Sequence, residues 1–255
     1  PPPEWKERNR AVLTARSQLR IPSEEFKVVP FAQQPELGHK TSRASLGSGW
    51  RNNDTFEEVT VRAGYHDLLD REVGYTPDAQ IEIASLTLRH YNRANQTRIE
   101  RATLANVLSL SPIDSVFHAP SWKLNIGMNT IKHNGCQLCS NGVMNGGVGV
   151  AAERHWLKRE VFFAFMEGEA NYSKAYEARH RIGGGGTVGL LADLSDRWKL
   201  MASGTYLRYA LGDQSDDFRW FVGQRYTLSQ NWALRLEYNH RDRDNDVVFS
   251  MQAFF

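Results

Sequence analysis

The chain has 255 residues, with 31 lysines and arginines against 29 aspartates and glutamates; the formal net charge of +2 gives no strong pull toward nucleic acid, and no nucleic-acid partner is expected. Hydrophobic residues make up 41%, mean hydropathy is −0.52, and no stretch approaches the ~18 apolar residues of a membrane-crossing helix. These values leave a membrane β-barrel open, because its strands alternate lipid-facing and lumen-facing residues and window averages cancel.

The chain opens Pro1-Pro2-Pro3 with neither a Met nor a signal peptide, which reads as a mature product or a piece of a longer chain. Residues 4–20 (EWKERNRAVLTARSQLR) are charged, with Trp5, Val12, Leu13 and Leu19 apolar. They predict a short helix closed by Pro22. Ile21 to Leu37 carries Pro22, Pro30 and Pro35 and reads as a linker. Residues 1–37 are therefore expected to be a helical, proline-containing connection from an upstream region, and 38–255 one domain. At the domain entry, GHKTSR, His39 either binds a ligand or anchors the linker, and the sequence favours neither.

From about Lys40 onward, segments of roughly ten residues alternate apolar and polar between Gly, Asn, Asp and Ser clusters. About twelve strands are predicted: 41–50, 56–64, 80–90, 97–109, 121–132, 141–153, 159–171, 178–193, 197–210, 217–228, 231–241 and 246–255. In NWALRLEYN, Trp232, Leu234, Leu236 and Tyr238 share one face and Ala233, Arg235, Glu237 and Asn239 the other. WKLNIGMN and RWFVGQRYTL divide in the same way. In VFFAFMEGE either Phe162 or Phe163 could face lipid. The apolar faces end in Trp or Tyr, and the opposite faces carry charges with Gly and Ser. Aromatic ends belong at the two membrane interfaces. Small soluble barrels reverse this arrangement, keeping apolar residues inside. The expected fold is thus all-β: an antiparallel transmembrane β-barrel in a bacterial outer membrane.

An even strand number puts both barrel ends on one side, the periplasm. LSDR and LSQN are expected to be tight periplasmic turns, and GDQSDD and RDRDND longer outward loops. The connections 65–79 and 110–120 break the short-turn pattern. The final strand, VVFSMQAFF, places Phe249, Met251 and Phe255 on one face and resembles the terminal signal read by the barrel-assembly machinery. Outer-membrane lipids and lipopolysaccharide are the other expected partners.

The stretches PELGHKTSRASLGSGW, VRAGYHDLLDREVGYTPDAQIEI and LSLSPIDSVFHAPSWKLNIGM, with GCQLC and the final strand, resemble the C-terminal domain of large proteobacterial envelope proteins of poorly defined function. The upstream half of those proteins is a papain-like periplasmic domain similar to the lipoprotein N-acyltransferases called Lnb. The resemblance covers about residues 35–255. It implies a barrel tethering a periplasmic enzyme, and it carries over no catalytic residue.

Candidate chemistry is sparse. Cys136-Gln-Leu-Cys139, in a predicted outward loop, is a redox pair, half of a zinc site or a local disulfide. A lone CxxC in an oxidising envelope favours the disulfide. His66, Asp67, Asp70 and Arg71 in one long connection, and Asp114, Ser115, His118 and Ser121 in the other, are weak candidates for a hydrolase constellation. They lack nucleophile-elbow spacing, and turn chemistry explains them better. Gly183 to Gly186 has no following Lys-Ser/Thr, so it reads as a curvature device and not a phosphate loop. Arg43, Arg62, Arg179, Arg181, Arg225, Arg235 and Glu237 are expected to line and plug the lumen. No cofactor or metal is expected. The readings that remain are an anchor, an enzyme acting on lipid or lipopolysaccharide, and a passive channel.

Overall fold

A computed structural model describes residues 3–19, 34–114, 118–241 and 244–255. The chain divides into two units, 1–32 and 33–255. In the first, Pro3–Gln18 forms helix α1, with Glu4 in its first turn and Arg16 in its last, each sign suited to that end of the helix dipole. The predicted linker prolines Pro22 and Pro30 lie outside the described residues.

The second unit is a closed antiparallel barrel of twelve strands in sequence order. These are β1 (Arg43–Arg51), β2 (Asp54–His66), β3 (Ala79–Tyr91), β4 (Gln96–Ser109), β5 (Ser121–His133), β6 (Cys136–Arg154), β7 (Arg159–Tyr172), β8 (His180–Asp193), β9 (Trp198–Gly212), β10 (Ser215–Ser229), β11 (Trp232–Arg241) and β12 (Asp244–Phe254). The seam closes by pairing β1 with β12, Arg43 opposite Phe254 and Arg51 opposite Asp246. Both strand termini therefore sit at one end, here called the terminal end; the opposite rim is the far end.

The predicted faces are present. Trp232, Leu236, Tyr238, Phe249, Met251 and Phe255 point outward, while Ala233, Val248, Ser250, Gln252 and Phe254 are buried inside. Outward Trp122, Trp198, Trp232 and Tyr226 lie toward the terminal end, and Trp50, Trp220, Tyr172 and Phe218 toward the far end. They form the two aromatic girdles of a membrane-spanning barrel. The ambiguous strand resolves with Phe163 and Phe165 inside and Phe162 out.

LSDR and LSQN make the expected tight turns at the terminal end, between β8 and β9 and between β10 and β11, but the outward loops differ from expectation. GDQSDD and RDRDND do not form long outward loops: β9 runs to Gly212 and β10 begins at Ser215, while β11 runs to Arg241 and β12 begins at Asp244. Asp217, Asp244 and Asp246 of these segments enter the lumen and meet arginines. Asp217 pairs with Arg181 and Arg219, Asp244 with Arg51, and Asp246 with Arg89. The long connections, 67–78 and 110–120, are at the terminal end. The CxxC also differs from expectation. Asn134 and Gly135, both at positive φ, make the β5–β6 turn, and Cys136 already starts β6 opposite His133. Cys136 and Cys139 are disulfide-bonded.

Arg179 is not a lumen residue. It sits at φ 60 in the β7–β8 connection and is exposed. Its backbone closes the turn through Ser173 N–H to Arg179 O and Arg179 N–H to Tyr176 O, so β8 starts one residue later.

Candidate functional site

The connection 67–78 folds inward. Asp67 Oδ1 accepts the Leu69 N–H at 2.9 Å, and Asp70 Oδ2 accepts the Asp67 N–H at 3.0 Å. These local bonds are the turn-forming habit of aspartate. They present Leu68 and Leu69 to the lumen, where both are buried with Leu110, Val161, Phe163, Phe165 and Leu191. Burying each leucine is worth roughly 1.5–3 kcal/mol. The lumen thus has an apolar core at the terminal end, where the sequence predicted polar plugging alone. Beyond these leucines, a cavity of ≈ 440 Å³ continues toward far-end residues such as His133, Asp216 and Asp244.

The two carboxylates of the inward turn meet the predicted lumen cations. Arg43 Nη1 donates to Asp67 Oδ2 at 2.8 Å, and Arg235 donates to the same oxygen and to Glu237. Arg62 Nη2 donates to Asp70 Oδ2 at 3.1 Å, and Arg225 Nε lies 3.4 Å from Asp70 Oδ1. Arg181 pairs with Asp217 nearer the far end. Burial and the neighbouring Asp67 push the Asp70 carboxyl up, but Arg225, Arg62 and Arg43 together hold it below its ordinary range. Burial likewise opposes ionisation of Asp67, and Arg235, Arg43 and Arg62 overcome it, leaving its pKa well below normal. Further along the loop, burial raises and Lys199 at 2.7 Å lowers the Glu72 pKa, with a net fall.

The chain entering β1 closes over this loop. Gly74, at φ 82, passes so close to it that a Cβ would lie 2.9 Å from Pro35 O and 3.0 Å from Gly38 Cα. Glycine is required there on both counts. Tyr75 Oη donates to His39 O at 2.6 Å, and its ring lies 4.6 Å from the ring centres of both His39 and His66. His39 also packs on Phe254 at 4.3 Å. His39 therefore anchors the entry, one of its two open readings. Burial lowers its pKa and keeps the imidazole neutral.

His39, His66 and Asp70 bring potential ligand atoms within 4.8 Å of one another, but their directions do not converge. His39 Nε2 and His66 Nδ1 are 3.3 Å apart while the ring centres are 5.6 Å apart, close to the greatest separation that this contact permits. The nitrogens point at each other, as in a hydrogen bond, and Asp70 Oδ2 is already engaged by Arg62 and the Asp67 N–H. That arrangement does not match tetrahedral coordination.

The other candidates are scattered. Among the described residues, no Ser hydroxyl is bonded to His66 or His118. Ser121 Oγ, fully buried, accepts the Ser111 N–H at 3.0 Å, and His118 is exposed. His133 turns to Asp213 at 3.5 Å, away from zinc-type ligation with the bonded cysteines. Sequence reasoning missed Tyr75, Phe254, Glu72 and Lys199. The GY pair after an acidic turn was the available signal for Tyr75; nothing local marked the others.

The profile of a domain of unknown function, DUF7840, matches residues 32–254. The chain belongs to the DUF7840 family. No curated protein matches. Among solved structures this DUF7840 barrel is similar to the NanC porin, at 8% identity and TM-score 0.50, over 83% of this chain and 99% of that one. It is also similar to the KdgM porin in complex with disordered oligogalacturonate, at 8% identity and TM-score 0.47, over 84% and 99% of the two chains. A third is the COG4313 outer membrane channel from Pseudomonas putida F1, at 8% identity and TM-score 0.44, over 92% and 100%. At these identities the likeness concerns the fold: an outer-membrane β-barrel of the Gram-negative envelope.

Proposed function

We propose that this barrel is a plugged outer-membrane anchor that holds the chain entering it, and a periplasmic domain upstream, in a fixed position at the terminal end. The observation that carries this reading is the clamp on residues 34–42. Gln230 Nε2 donates to Glu36 O at 3.0 Å and to Gly38 O at 2.7 Å. Asn231 Oδ1 accepts the Lys40 N–H at 3.2 Å, and Ser42 O accepts the Phe255 N–H at 3.0 Å. A passive leader into a barrel needs none of these bonds, whereas a tether that sets position does. The inward loop and paired lumen charges fit a scaffold better than an open conduit. The family resemblance supports a papain-like periplasmic enzyme as the partner, and the even strand number supports the periplasmic side.

The test is topological. A tag placed before α1 should resist surface protease on intact cells and be cut once the outer membrane is permeabilised. A tag in the Asn134–Gly135 turn should be cut on intact cells. The reverse pattern would sink the orientation. For the tether, an upstream domain expressed without the barrel should leave the outer-membrane fraction; its retention there would overturn the anchoring role.

A further inference from the structure

We propose that His39 and His66 form a proton-operated latch: uncharged, the pair holds the inward loop 67–78 and the entering chain at the terminal end, and protonated, it releases them. The hydrogen bonds fix where the protons are. Lys40 O can only accept, so His39 Nδ1, at 2.6 Å, carries the proton. A neutral His39 then offers a bare Nε2, and the 3.3 Å contact requires His66 Nδ1–H to donate to it. His66 Nε2 is left as a lone pair, and it is buried with no partner. Each ring has spent its one proton, and the line from Lys40 O to His66 Nε2 has a single vacancy at its end.

That vacancy determines what acid does. However protons shift along the line, one added proton places an N–H at His66 Nε2, buried and without an acceptor. A second sets N–H against N–H where the two rings meet. The first turns an unpaired acceptor into an unpaired charged donor, and the second replaces a satisfied contact with a charged clash. The surrounding groups pull both ways. Asp70 and Asp67 of the loop favour the incoming charge; Arg62 of β2, Arg225 of β10 and Lys199 of β9 oppose it. Both aspartates are already engaged by arginines, which limits what they can offer.

What the latch holds is set by Tyr75. Its ring lies across the imidazole pair, equidistant from both centres, and its hydroxyl bonds His39 O. The loop is therefore tied to the entering chain through a surface that exists only while the two rings lie in line. Separating the rings removes the surface, loosens the loop whose leucines stop the lumen, and frees His39 from Phe254.

The experiment uses the 255-residue chain in lipid vesicles, with backbone hydrogen exchange of 67–78 followed from pH 7.5 to 4.5 and corrected for intrinsic rates. We expect the loop to exchange roughly tenfold faster at the acid end. In a His39→Gln/His66→Gln variant, whose amides hydrogen-bond without titrating, the acceleration should vanish. Unchanged wild-type exchange across the range would overturn the latch, as would a variant that keeps the transition. Should the variant fail to assemble, deuterium exchange at the imidazole C2 of wild-type His39 and His66 decides: their protonation must coincide with loop opening, and titration out of step overturns the proposal. The measurement involves the barrel alone, so its result is independent of whether an upstream domain is tethered.

Discussion

At the scale of single residues, the terminal end is held by ion pairs sealed from water. Arg62 and Asp70 are both fully buried, so neutralising one partner strands the other. Asp70→Asn is expected to cost about 3–5 kcal/mol, read as a shift of the urea-unfolding midpoint in lipid vesicles. A double change to apolar residues of similar volume should cost less, because no uncompensated charge remains. The pH dependence has two windows. Asp67 and Asp70 have folded-state pKa values below normal, so an unfolded chain takes up their protons first. Their stabilisation is complete above roughly pH 4 and is lost as pH falls further. His39 is also lowered, and a neutral buried imidazole is lost from about pH 6.5 downward, since only the unfolded form charges there. Acid unfolding curves should therefore fall in two stages, and the His39→Gln/His66→Gln variant should lose the upper one. An upper stage kept by that variant would contradict the assignment.

Among elements, the inward loop is the part whose removal should change behaviour most. Wild type is expected to be electrically quiet in a planar bilayer at pH 7.5. Replacing 67–78 by a short glycine-serine turn should give steady conductance, because it removes Leu68 and Leu69, unpairs Arg43, Arg62 and Arg225 and leaves Arg235 with Glu237 alone. The glycine run of β8 provides a sharper contrast. A Cβ on Gly185 would sit 1.9 Å from Tyr206 O, whereas one on Gly168 meets nothing nearer than 3.8 Å. Gly185→Ala should sharply reduce the yield of folded barrel, seen as loss of the heat-modifiable band on gels, while Gly168→Ala should be tolerated. The strands were legible in the sequence because a two-residue period survives wherever one side meets lipid. The far-end turns were not. Asp217, Asp244 and Asp246 looked like loop residues, but a closed lumen accepts acids at strand ends when Arg181, Arg219, Arg51 and Arg89 face them. His66, Asp67 and Asp70 stood out singly. The His39–His66 contact did not, because 27 residues and a whole strand separate its partners.

For the whole molecule, the terminal end carries the inward loop, the chain clamp and the histidine pair, while described far-end turns such as 52–53, 134–135 and 213–214 are minimal. Envelope fractionation should place the chain with outer-membrane proteins, and disulfide reduction should leave it there, because the Cys136–Cys139 bridge spans only a sequence separation of 3 and constrains little of the unfolded chain. The seam has one more implication. Phe254, against which His39 rests, is the last residue of the last strand and pairs with Arg43 at the beginning of the first. A contact spanning nearly the entire domain forms late in folding. The ring stack at the entrance is then a record of completion: a chain cut short by even two residues lacks the surface that His39 leans on. Quality control that senses a loose entry segment would thereby distinguish finished barrels from stalled ones without inspecting the wall.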